Sequence, residues 1–206
     1  MSLSGRLQLL TTFALLVGVL SIYAALPSSA LAGEPPDVSY SSVNAFPNFE
    51  PIEGASSRLV RTDHSIQMQV TTYGLDPGAA YTGWWIIFNK PWMCSDGECG
   101  EEDISPMSPA EVSILWATGH LVGSNGLGNF TATLKEGQSK GEVMFGPGLK
   151  VGNARTAEVH FVLRTHGPPN WSLVHEQIST FNGGCGPAPE LYPDCENQQG
   201  TVHVPQ

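Results

Sequence analysis

Six histidines, four cysteines and one run of carboxylates are the residues of this chain that could do chemistry. The histidines are His64, His120, His160, His166, His175 and His203. Segment 157–166 alternates as a strand, and alternate residues of a strand share a face. Glu158, His160, Val162, Arg164 and His166 fall on one side, with Val159, Phe161, Leu163 and Thr165 on the other. The second set is expected to face a core. On the first, Glu158 could orient His160 as a ligand or base, and Arg164 could bind a carboxylate. A solvated outer face with cross-strand ion pairs is the simpler expectation. His160 and His166 lie about 20 Å apart along a strand, but the loop opened by His166-Gly167-Pro168-Pro169 leads to His175 and Glu176. That loop could gather two imidazoles, a carboxylate and Arg164, so His160, His166 and His175 are the candidate zinc ligands. His175-Glu176-x-x-Ser179 lacks the second histidine of the H-E-x-x-H zinc-protease pattern.

The stretch CSDGECGEED carries Asp96, Glu98, Glu101, Glu102 and Asp103, bent by Gly97 and Gly100. Such a loop could hold calcium through its oxygens, although the spacing fits no EF-hand; a solvated acidic loop is the simpler reading. Nucleophilic catalysis has little support, because no G-x-S-x-G elbow occurs. Gly123-Ser124-Asn125-Gly126-Leu127-Gly128 is glycine-rich but lacks the helix and lysine of a phosphate loop. Among five tryptophans, adjacent Trp84 and Trp85 must point to opposite faces, so at least one belongs to the core. Trp92 and Trp171 fall in loops, where aromatics serve either a carbohydrate- or protein-binding surface or packing beneath the loops. Asn129-Phe130-Thr131 and Asn170-Trp171-Ser172 are glycosylation sequons, meaningful only in a eukaryotic host.

The compartment bears on all of this. Residues 1–32 read as a cleavable export signal: Arg6, an apolar stretch from Phe13 to Leu26, then Pro27 and the small-residue site Ala30-Leu31-Ala32. The apolar run is shorter than the roughly 20 residues of a membrane span, and no later segment is apolar enough to cross a bilayer. Cleavage before Gly33 removes Arg6 from the nine basic residues and none of the 19 acidic ones, taking the net charge from −10 to −11. A domain so charged, without a basic cluster, is not expected to bind nucleic acid. In an oxidising compartment Cys94, Cys99, Cys185 and Cys195 are expected to pair. The two loop-local bridges, Cys94–Cys99 and Cys185–Cys195, are favoured among three possible pairings. C-x4-C and C-x9-C spacings do not suit a four-thiolate zinc site.

The elements that must position these residues are short. Residues 33–57, rich in Pro, Ser and Asn, read as an extended N-terminal arm packed through Tyr40, Phe46 and Phe49. Residues 58–206 read as one domain. Strands are expected at 65–73, 80–89 (apolar on both faces, hence central), 112–122, 128–135, 141–146, 157–166 and 200–204. Gly123–Gly126 reads as a tight hairpin and 173–180 as a short helix. Strands at this spacing, with 23 Gly and 16 Pro between them, predict an all-β antiparallel β-sandwich or Greek-key barrel of about seven to eight strands with long disulfide-tied loops.

Gly74-Leu75-Asp76-Pro77-Gly78 resembles a turn of the copper/zinc superoxide dismutases and related chordin-type domains. His120-Leu121-Val122-Gly123 with Gly128-Asn129-Phe130-Thr131-Ala132 is similar to the stretch around the bridging region of those dismutases. The match spans about 20 residues of 206. It implies a β-sandwich, but not the copper site. Where that superfamily has His-x-His, this chain has Tyr81-Thr82-Gly83-Trp84-Trp85-Ile86-Ile87. The combination AYTGWWIIFNKPWMC, RTHG and TFNGGC also looks like a group of secreted bacterial proteins of unassigned activity. The leading expectation is a secreted, non-catalytic module with a binding or structural role and an extracellular ligand, carbohydrate or protein. It needs no cofactor. The alternative is a metal-dependent enzyme built on His160, His166 and His175, with calcium or zinc as the ion.

Overall fold

Apolar and polar residues alternate along most segments, and the strands follow that alternation. The computed structural model describes residues 34–206; the expected export signal, 1–32, lies outside the described residues. In chain order the strands are β1 (Asp37–Ser41), β2 (Asn44–Ala45), β3 (Glu50–Pro51), β4 (Ser56–Arg61), β5 (Ser65–Thr72), β6 (Ala80–Phe88), β7 (Val112–Leu121), β8 (Gly128–Lys135), β9 (Val143–Phe145), β10 (Glu158–Thr165) and β11 (Asn197–His203). One short α-helix, α1 (Val174–Gln177), and three single-turn 3-10 helices at Pro91–Met93, Ser95–Gly97 and Glu101–Asp103 interrupt them. They form a four-stranded sheet, β1-β4-β5-β8, and a seven-stranded sheet, β3-β2-β11-β10-β6-β7-β9. Every pairing within these sheets is antiparallel. Neither sheet closes into a barrel, so the fold is a sandwich.

The two sheets face one another across one core. Leu59, Ile66, Met68, Val70, Phe130 and Leu134 from the smaller sheet meet Tyr81, Trp85, Ile87, Leu115, Val159, Phe161 and Leu163 from the larger. Trp85 and Phe161 pack edge to face, with ring centroids 5.2 Å apart. β6, apolar on both sides, lies between β10 and β7, and every one of its residues is buried. Trp84 therefore belongs to the outer face of the large sheet and Trp85 to the inner one.

Four expectations about the elements change. The 33–57 segment is woven into both sheets as β1, β2 and β3 and the first residues of β4. Besides these strand pairings, Arg155 ties it to the rest of the protein, reaching Asp37 at 2.7 Å and Asp63 at 2.9 Å; the Tyr40 ring is exposed. Gly123–Gly126 forms the expected turn, with Gly126 N–H donating to Gly123 O at 3.1 Å. It does not make a hairpin, because β7 pairs with β6 and β8 pairs with β5. The turn carries the chain from one sheet to the other. The helix is four residues long rather than eight. The outer face of β10 is not solvated: Glu158 and His166 are buried, and His160 and Arg164 are half-buried.

Two disulfide-tied segments lie over that outer face. The first, bridged at Cys94–Cys99, packs Cys99, Ile104 and Ala110 onto Ile86, Phe88, Val112 and Val162 in a second, smaller apolar cluster. The second, bridged at Cys185–Cys195, brings Phe181 edge-on to Trp84 at 5.2 Å and beneath the Arg164 guanidinium at 4.2 Å. Arg164 also donates to Phe181 O at 2.9 Å. The covering chain approaches so closely at Gly119 that a Cβ there would lie 1.9 Å from Ile178 O.

Candidate functional site

His166 sits at the end of β10 with no exposed surface. Both of its ring nitrogens are engaged, by Gly183 O at 2.8 Å and by Thr82 Oγ1 at 2.8 Å. A carbonyl only accepts, so Nδ1 carries the proton and donates it to Gly183 O. Nε2 is then the acceptor, and the Thr82 hydroxyl donates to it. Thr82 Oγ1 in turn accepts the Trp84 indole N–H at 2.7 Å. The same Nδ1 lies 3.3 Å from Cys185 Sγ. Burial lowers the His166 pKa to about 4, with the Arg164 charge adding to that effect against the Gly183 hydrogen bond, so the ring is neutral at physiological pH. Around it Gln177, buried on α1, donates to His166 O and Pro168 O at 3.0 Å each and accepts from Asn170 N–H at 2.8 Å.

The expected histidine trio does not converge. His160 turns to Glu158, 2.7 Å away, and its ring lies 4.8 Å from that of Phe88. His175 is exposed on α1. Among the described residues, one group of three potential ligands has its donor atoms within 4.8 Å of one another: His166, Cys185 and Cys195. Two of these are the halves of a disulfide. Imidazoles on one strand face diverge along the strand, and the covering loop offers His166 a sulfur and a carbonyl instead of His175.

The acidic loop is equally dispersed. Asp103 is buried and accepts from Ser95 N–H at 2.8 Å, Ser95 Oγ at 2.9 Å and Gly100 N–H at 3.1 Å. Burial, the largest single effect, pushes its carboxyl up, but these bonds together outweigh it and hold the carboxyl below the usual range. It ties the loop's two halves together. Asp96, Glu98, Glu101 and Glu102 are exposed. Both disulfides are those expected, with Cα separations of 5.0 and 5.8 Å. Trp92 and Trp171 are 68% and 75% exposed. Asn129 is exposed on β8 and accepts from Thr71 Oγ1 at 3.1 Å; Asn170 caps its own turn, accepting from Ser172 Oγ at 2.7 Å.

Residues to which the sequence assigned no chemistry form the more open site. Asp76, in the turn before β6, separates two hollows of about 470 and 430 Å³. The first is walled by Ala79, Gly167, Pro168, Pro169 and Tyr192, the second by Phe46, Pro47, Glu196, Asn197 and Gln198. Tyr81, fully buried, reaches this wall with its hydroxyl, which accepts from Asp76 N–H at 3.0 Å and donates to Gln198 Oε1. Gln198 Nε2 donates to Asp76 Oδ2 at 3.0 Å. Burial raises the Tyr81 pKa to about 12, so the phenol keeps its proton. The Tyr192 ring lies on Gly167, where a Cβ would come within 2.4 Å of it. Only the turn Gly74-Leu75-Asp76-Pro77-Gly78 was visible in the sequence; its meeting with Gln198, 122 residues away, was not.

A second polar cluster gathers around the buried His203, with the half-buried Ser39 at its edge. Ser57 Oγ is 2.6 Å from Thr201 Oγ1 and 2.9 Å from His203 Nε2, and Ser39 Oγ is 2.8 Å from His203 Nδ1. Burial, then Arg61 and His160, lower the His203 pKa to about 4. Arg61, 2% exposed, donates to Ala154 O and His203 O at 3.1 Å each. Compared with known protein families, curated proteins and solved structures, the chain matches none of them.

Proposed function

We propose that the chain is an exported binding module without catalytic machinery, whose ligand is a polyhydroxylated molecule of the carbohydrate class seated beside Asp76. The observation that carries this reading is the preset polar wall between the two hollows. Gln198, Tyr81 and Asp76 fix one another, so the Asp76 carboxylate and the Gln198 amide meet a ligand without first being ordered, with the Asn197 amide beside them. Carboxylate and amide groups pair with vicinal hydroxyls, while Tyr192 and Phe46 offer ring surface to the C–H faces of a sugar. The loop-borne Trp92 and Trp171 add exposed aromatic area elsewhere. Against catalysis stand a buried His166 committed on both ring nitrogens and a buried His203 whose two ring nitrogens are taken by Ser39 and Ser57. Export is supported by the 1–32 sequence pattern and the two disulfides. The described residues contain no helix long and apolar enough to cross a membrane.

The test is a glycan array on the full chain, followed by calorimetry of any hit with the Asp76→Asn and Tyr192→Ala variants. Binding that weakens at least about tenfold in both, with unchanged circular dichroism, supports the assignment; that factor corresponds to about 1.4 kcal/mol. An array without hits, or a hit indifferent to Asp76→Asn, overturns it.

A further inference from the structure

We infer that Cys185, Cys195 and His166 form a three-ligand site for a d10 metal ion, zinc(II) or copper(I), when the bond between the two cysteines is reduced. This is independent of the hollows beside Asp76. The three donor atoms already lie within 4.8 Å of one another, with His166 Nδ1 3.3 Å from Cys185 Sγ. In a zinc centre with Zn–S of about 2.3 Å and tetrahedral angles, two sulfurs stand about 3.8 Å apart. Opening the bond to that distance is a matter of side-chain rotation. Two thiolates and one imidazole suit both ions.

The backbone keeps the site assembled without the disulfide. Tyr192 N–H donates to Gly184 O at 2.7 Å and Gly186 N–H to Tyr192 O at 3.0 Å, so the chain on either side of Cys185 is bound to the return strand. Beyond Cys195, Thr165 N–H donates to Glu196 O at 2.9 Å and β11 begins at Asn197. His166 is held from behind by Thr82, the kind of outer partner that fixes a ligating imidazole. Cys94–Cys99 has no such histidine: among the described residues it belongs to no group of three potential ligands.

The chemistry balances with a thiol reductant. One thiolate attacks Cys195 Sγ, Cys185 leaves as thiolate, and a second thiolate resolves the mixed disulfide, so the reductant is oxidised to its own disulfide by two electrons. The metal then displaces the two cysteine protons. The imidazole proton passes from Nδ1 to Nε2, freeing the Nδ1 lone pair, and Thr82 Oγ1 accepts from Nε2 where it had donated. Three protein ligands leave a fourth zinc position to water, or complete a trigonal copper(I) centre.

The experiment uses the full chain carrying Cys94→Ser and Cys99→Ser, reduced anaerobically with a phosphine that is then removed. Zinc(II) and copper(I) are titrated separately against chromogenic chelators, and cobalt(II) serves as the spectroscopic probe. One equivalent is expected in the reduced protein and none in the oxidised, with a thiolate-to-cobalt charge-transfer band. His166→Gln should weaken binding at least about tenfold and Thr82→Val about 10- to 100-fold, while Cys185→Ser abolishes it. Circular dichroism identifies variants that fold. Absence of stoichiometric binding of either ion by the reduced protein overturns the proposal, as does equal binding by the folded His166→Gln or Thr82→Val variant.

Discussion

Phe161 and Gly83 offer a test of the sandwich at one point of contact. Phe161 is buried in the inner face of β10, edge-on to Trp85. A Cβ added at Gly83 on β6 would lie 2.6 Å from Phe161 Cζ and 3.0 Å from Thr118 Cγ2. Phe161→Ala alone should cost about 3–5 kcal/mol, from lost transfer energy and the cavity left behind. Gly83→Ala alone overpacks the same spot and should cost about 1–3 kcal/mol. In the double variant the clash with the ring is gone, leaving only the tight approach to Thr118, and the new methyl enters the space vacated by the ring. The pair should therefore cost less than the sum by at least about 1 kcal/mol. Urea unfolding followed by tryptophan fluorescence, with disulfides intact, measures all three. For a domain of this size Phe161→Ala also lowers the melting temperature by roughly 6–20 °C, at about 2–4 °C per kcal/mol. Additivity within about 0.5 kcal/mol would refute the reasoning. It would mean that ring and glycine do not meet and that the register of Phe161 opposite Trp85 is wrong.

Arg164→Ala should cost about 1–3 kcal/mol in the same assay, because the half-buried guanidinium lies over Phe181 and donates to its carbonyl; a loss below about 0.5 kcal/mol would return it to a solvated face. Acid should destabilise the fold in a window set by two histidines. His166 and His203 fall to about 4 when folded from about 6.5 when unfolded. Their contribution is complete above pH 6.5 and is lost as pH falls towards 4, by up to about 3 kcal/mol each. Imidazole NMR signals from these two that titrate near pH 6.5 would contradict it. Asp103→Asn should lower stability by about 1–3 kcal/mol, read from urea midpoints, by loosening the bonds to Ser95 and Gly100. Calcium at millimolar concentration should leave the melting temperature unchanged, since the other carboxylates of that loop do not gather; a rise would revive the calcium reading.

The strands were legible where one face is core and the other meets water. β5 and β8 alternate in sequence and in burial alike, and Val159, Phe161 and Leu163 point inward as their neighbours' polarity required. What alternation does not encode is a polar face covered by irregular chain. Glu158, His160, Arg164 and His166 look like a solvated row because, apart from Thr82 of β6 beside His166, their partners are not complementary strand residues. They are carbonyls of Phe181 and Gly183, a sulfur, and one another. A carbonyl has no residue type, so composition cannot announce it. The local cysteine pairs were legible because each closes a short loop. The proximity of His166 to one of them was not, because it depends on how the chain folds between two positions 19 apart in sequence. Asp76 illustrates the same limit: its turn was visible, but its meeting with Gln198 needed the whole sheet.

The position of β11 bears on the order in which the molecule can be assembled. Seven residues near the end of this sequence lie in the interior of the larger sheet, with β2 on one side and β10 on the other. As the chain emerges amino end first, β2 and β3 therefore have no seat until nearly the whole of it is available. Until then β10 presents an unpaired ladder, and Ser57 lacks both Thr201 and His203. Closing contacts across such separations makes folding slow. If the chain is exported, as proposed above, that delay is compatible with passage: a domain whose keystone strand arrives late is held back from folding before it has crossed.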